Sequence, residues 1–212
     1  MGLMIVVAIQ MIIRQADLPQ QTSLSPPSTL AAPMPKPTPA APPQQISDNE
    51  TLLKQEVIKA INKASRREKL RVNNVETINI SGLINVDIFI TLKSMWSEET
   101  FFLEMDSALV KSCQLLAQKW PNQVRRVIFF LHGPVVDKYG KEDTALAMKL
   151  YFNMSDLKKA NWEHMQVYQD LLNLVDDAEL KPFGRQIAAA YCGKKNNAEL
   201  SNLFCGRFLR PR

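Results

Sequence analysis

Glycine is scarce in this chain, with seven in 212 residues, and that scarcity weighs against the glycine-rich loops that cradle phosphates. There is no Walker loop, no Rossmann glycine pattern and no Gly-x-Ser-x-Gly elbow. Histidine is rarer still, with only His132 and His164 present. Because the chain also lacks Cys-x-x-Cys and His-x-x-x-His, a zinc site would need scattered ligands, and no metal or cofactor is expected. Lys138 and Lys141 interrupt the stretch from Asp137 to Asp143, which rules out the alternating oxygen ligands of an EF-hand loop. Aromatic residues are missing from positions 50–71, where Lys54, Lys59, Lys63, Arg66, Arg67, Lys69 and Arg71 gather. A basic helix without rings on which to stack bases reads first as a solvated face, with nucleic-acid binding as an alternative. The formal charge of +5 favours anionic neighbours without choosing among them.

Cysteine is also sparse, and its three positions differ in kind. Cys113 lies in an apolar helical pattern and reads as a buried free thiol. Cys192 and Cys205 flank the polar stretch from Gly193 to Leu200 and can close a loop. In an oxidising compartment such a crosslink would contribute roughly 3 kcal/mol, whereas in the cytosol both thiols would stay reduced.

Proline is abundant, but most of it is confined to the stretch from Pro19 to Pro43. That divides the chain into an apolar segment (1–16), a Pro-rich linker (17–45) and a globular domain (46–212). A helix over residues 3–13 would be about 16 Å long, half the thickness of a bilayer core. Basic residues ahead of the apolar run and a small-residue cleavage site are both lacking, so a secretory signal is not expected. The expectation is a membrane anchor whose beginning lies further upstream, with an interfacial or buried apolar helix as the alternative. Arg14 alone would favour a cytoplasmic C-terminal side, but one charge beside an incomplete segment decides little. The linker, with Pro33-Met-Pro-Lys-Pro-Thr-Pro39 at its centre, favours polyproline II and would reach at most ~90 Å at ~3.1 Å per residue.

Within the domain, Leu53, Val57, Ile61 and Ala64 mark one face of a helix over 47–69. Strands follow at 75–81 and 84–92, turned by Ser81-Gly82, the second alternating Ile84, Val86, Ile88, Ile90 and Leu92 with Asn85, Asp87, Phe89 and Thr91. Helical spacing returns over 97–120, stopped by Pro121-Asn122. The segment 124–131 is apolar on both faces, as expected of a central strand, and 145–152 is its partner, with Gly140 supplying a turn in the connection. Short helices are expected over 155–159, 163–176 and 179–192. The fold class is α+β in the order αββαββααα: a four-stranded, mainly antiparallel sheet with helices packed on one face.

The connection 132–143 holds His132, Asp137, Tyr139, Glu142 and Asp143. A general base and its orienting carboxylate need such neighbours, although a solvated hairpin loop explains the same residues. Tyr139, Trp162 and Tyr168 are candidate contact aromatics, Trp162 equally a core residue. Pro134-Val-Val-Asp-Lys-Tyr-Gly140, Ala147-Met-Lys-Leu-Tyr-Phe152 and Leu157-Lys-Lys-Ala-Asn-Trp162, with the Tyr191-Cys192 and Phe204-Cys205 endings, resemble uncharacterised bacterial envelope proteins. Those proteins are anchored by lipid or helix and often encoded with mobile elements. The resemblance spans residues 74–205 and implies location and fold without an activity. Together these features predict a non-enzymatic interaction or assembly module, anchored in the inner membrane and facing the periplasm, with a protein partner in the envelope. The alternatives are an enzyme acting on an envelope polymer through 132–143 and a nucleic-acid binder using the helix over 50–71.

Overall fold

The computed structural model describes residues 44–64, 69–136, 138–165 and 168–209, with side chains from Asp48 onward. The apolar segment 1–16 and nearly all of the linker lie outside the described residues.

Helix α1 (Gln44–Ala64) leads into a hairpin of β1 (Leu70–Ile80) and β2 (Leu83–Leu92). Ser81 and Gly82 both take positive φ, 55° and 85°, as a two-residue hairpin turn with the twist of its strands requires. Helix α2 (Phe101–Lys119) then carries the chain to a second hairpin, β3 (Val124–Val136) and β4 (Glu142–Asn153). The short helices α3 (Met154–Leu157) and α4 (Tyr168–Leu172) precede strand β5 (Asp177–Leu180), and α5 (Pro182–Cys192), α6 (Lys195–Leu200) and α7 (Asn202–Phe208) complete the domain.

The class is α+β, as the patterning predicts, but the sheet is mixed and has five strands in the order β1-β2-β3-β4-β5. β2 and β3 are parallel because α2 returns the chain to the end from which β2 began, while the remaining pairs are antiparallel. β5 falls where a helix is expected. Its sequence Asp-Ala-Glu-Leu has helical propensity, and pairing with the outer edge of β4 overrides it. Pro182 then starts α5, a position that asks for no amide donor.

The helices lie on one face of the sheet. Leu53, Val57 and Ile61 of α1 and Met105, Leu109 and Leu116 of α2 are buried with Val86, Ile88, Ile90, Val127, Phe129, Leu131, Leu150 and Phe152 in one core. Cys113 is buried in it, and burial pushes its thiol well above the ordinary range. The C-terminal helices join the same layer: the Phe102 ring meets Tyr191 edge-on at 5.0 Å and Phe204 at 5.6 Å. Tyr191 and Ser201, both fully buried, share a hydrogen bond of 2.7 Å. A disulfide joins Cys192 to Cys205, with Cα atoms 5.7 Å apart, and so ties α5 to α7.

Gly184 sets how closely α5 approaches the sheet. A Cβ there would lie 1.9 Å from the Ala147 carbonyl oxygen of β4, a clash that only backbone displacement relieves. Gly184→Ala should therefore lower the unfolding free energy by more than about 3 kcal/mol. Gly206→Ala, where a Cβ meets nothing within 4 Å, should be neutral or stabilising; urea denaturation of the two variants checks the contrast.

Candidate binding surface

The strand period places every second residue of the sheet opposite the helical layer. On β2 these are Asn85, Asp87, Phe89 and Thr91, and their β3 partners are Arg126, Ile128, Phe130 and His132. β4 adds Asn153, Tyr151 and Lys149, β5 adds Asp177 and Glu179, and β1 adds Asn74, Glu76, Ile78 and Ile80. Phe89, Ile128, Phe130 and Tyr151 belong neither to the core nor to the residues packed against it. Among the described residues, no helix covers this face.

A row of cross-strand partners runs Asn74, Phe89, Phe130, Lys149, Glu179 from one edge to the other. The Phe89 and Phe130 rings stack with centroids 4.3 Å apart. The Lys149 ammonium lies over Phe130 at 5.3 Å and pairs with Glu179 at 2.7 Å. Hydrogen bonds from Lys149 and Lys181 hold the Glu179 carboxyl down to about 2. One row along, Glu76 faces Asp87, and the Arg126 guanidinium lies over Tyr151 at 5.9 Å while its Nε donates to Asn153.

Three buried polar atoms on this face, Asn85 Oδ1, Asp87 Oδ1 and His132 Nδ1, have no hydrogen-bond partner. Asp87 is 7% exposed, and burial first, then the Glu76 carboxylate, raises its pKa, with Lys149 opposing. A buried acceptor without a donor costs about 1–3 kcal/mol, more for a charged group.

The segment 132–143 is mostly strand. β3 runs on to Val136, β4 starts at Glu142, and Gly140, with φ of 80°, turns the chain between them. His132 thus sits on the open sheet face, whereas Glu142 and Asp143 are exposed at the far end of the hairpin. His132 and Glu142 are partnered with Leu146 and Val136, four positions apart on each strand, so this segment does not bring an acid and a base together as a compact loop would. Asp137 lies outside the described residues. Tyr139 is 81% exposed at the turn, with the Lys138 ammonium 4.9 Å from its ring. Trp162 packs partly buried against the core. Tyr168 is buried beside Tyr191, away from the open sheet face. Of the basic positions, Lys69 pairs with Glu104, and Arg66 and Arg67 lie outside the described residues. The described residues contain no group of three or more His, Cys, Asp or Glu side chains that could hold a metal.

No family model matches the chain, and neither a curated protein nor a solved structure matches it.

Asp87 has a simple thermodynamic signature. A carboxyl with a raised folded-state pKa takes up its proton more readily folded than unfolded, so stability falls as pH climbs from the unfolded value through the folded one. Asp87→Asn should raise Tm at pH 7, and the gain should shrink below about pH 4, where wild-type Asp87 is protonated in both states. A lower Tm for the variant at pH 7 would mean that the charge is compensated in the folded protein.

Proposed function

We propose that the domain is a non-enzymatic interaction module of a bacterial cell envelope that engages a protein partner through the open face of its sheet. The observation that carries this reading is the Phe89–Phe130 stack, with Ile128 beside it, standing outside the core on a face that no described helix covers. Contiguous apolar surface rimmed by charge is the usual mark of a protein contact. Arg126, Lys149 and Glu179 supply that rim.

Three features support placing the domain outside the cytoplasm. Cys192 and Cys205 are paired, as persists in oxidising compartments. The segment 1–16 has the composition of a membrane anchor, and linker 17–45 that of a stiff spacer. Among the described residues no helix is long and apolar enough to cross a membrane, so anchoring is assigned to 1–16. The resemblance to envelope proteins encoded with mobile elements points the same way.

The test has two arms. A photo-crosslinking amino acid at position 130 or 128 should give discrete adducts in the native host, and the same residue at exposed Leu200 should give none. Non-reducing peptide mapping of protein from that host should recover Cys192 joined to Cys205 and Cys113 as a thiol. Equal crosslinking from position 200 would remove the surface assignment, and reduced Cys192 and Cys205 would remove the compartment.

A further inference from the structure

The row across the open face is ordered by charge as well as by register. From the β5 edge it reads carboxylate, ammonium, ring, ring: Glu179 holds Lys149, Lys149 lies over Phe130, and Phe130 stacks on Phe89. Phe89 has no cation over its ring among the described residues, and its partner on β1 is the exposed Asn74. Beside that position stand two carboxylates on adjacent strands, Glu76 and Asp87. Asn74 Nδ2 donates to Glu76 Oε1 at 2.7 Å, which ties this carboxylate to the residue opposite Phe89. Asp87 is more than nine-tenths buried and its Oδ1 lacks a donor, as does Asn85 Oδ1 two residues earlier. The β1 end of the row thus sets a ring beside two carboxylates, as the β5 end sets Phe130 and Glu179 around Lys149. The only described cation whose charge reaches Asp87 is Lys149, which is held by Glu179.

We propose that Phe89, Asn74, Glu76 and Asp87 together receive a guanidinium, so that the protein partner docks an arginine side chain on this face. A guanidinium suits this set of groups better than an ammonium because its plane stacks on an aromatic ring while its fork of N–H donors meets carboxylate and amide oxygens together. Glu76 is exposed and takes the first contact. Asp87 gains its missing donor as the neighbouring side chains part. The proposal rests on the open face being the interaction surface and adds the chemistry of the partner.

The probe is N-acetyl-arginine amide, titrated into the full chain while NMR follows the Phe89 ring and the Asp87 amide. Saturable shifts at both are expected, with N-acetyl-lysine amide binding several-fold more weakly and the neutral N-acetyl-citrulline amide giving no saturable shift. Glu76→Gln, an exposed change that leaves the core untouched, should weaken arginine binding about tenfold, the effect of losing one charge-assisted hydrogen bond. Asp87→Asn should weaken it comparably. Absence of a saturable shift at Phe89, or unchanged affinity in both variants, would overturn the proposal. If crosslinks from position 130 persist while arginine binding fails, the slot is wrong and the open face stands. If both fail, neither stands.

Discussion

A five-stranded sheet has two faces, and the helices described in this chain reach only one of them. α1 and α2 spend their apolar stripes on Val86, Ile88, Ile90, Val127 and Phe129, and α5 to α7 extend the same layer around Phe102 and Tyr191. The other face is left with apolar residues at its centre, on the two parallel strands β2 and β3. Cross-strand stacking of Phe89 on Phe130 hides part of that surface, and Lys149 shields another part with its stem and charge. What remains is too apolar to be neutral surface and too exposed to be core.

The C-terminal third holds the covered face in place. β5 extends the sheet by pairing with β4, and Gly184 lets α5 approach the β4 backbone. The disulfide then fixes α7, while Arg207 donates to the carbonyl oxygens of Val175 and Asp176 at 2.9 Å, closing the last helix onto the turn before β5. The Arg207 bonds join positions 32 and 31 residues apart in sequence, and the disulfide positions 13 apart. They stiffen the edge of the sheet from which the Glu179–Lys149 pair projects.

Much of this architecture is legible in the residue pattern. The period of two over Ile84 to Leu92 gives β2 and its face, the Ser81-Gly82 turn gives the first hairpin, and Met105, Leu109, Cys113 and Leu116 give α2. Three features escape it. β5 is four residues of helix-forming composition whose strand state comes wholly from pairing. α6 forms in the polar stretch from Gly193 to Leu200, and the disulfide and the Tyr191–Ser201 bond hold it and α7 against α5. The segment from His132 to Asp143 passes for a loop because its charges mask the pairing of Pro134 with Thr144 and Val135 with Asp143. The candidate surface was legible in part: a strand apolar on both faces, in a domain whose described helices form a single layer, must expose one of them. Phe89 was visible only as the off-core partner of an alternating strand, and its stacking on Phe130 depends on the parallel register that α2 imposes.

Hydroxyl-radical footprinting of the full chain tests the two-faced sheet most directly, because it reads the exposure of individual rings. Neighbouring residues on β3 and β4 should separate by face, with Phe130 and Tyr151 oxidised while Phe129 and Phe152, both fully buried, stay protected. Protection of Phe130 equal to that of Phe129 in the isolated protein would mean that both faces are covered, and the interaction surface described here would not exist.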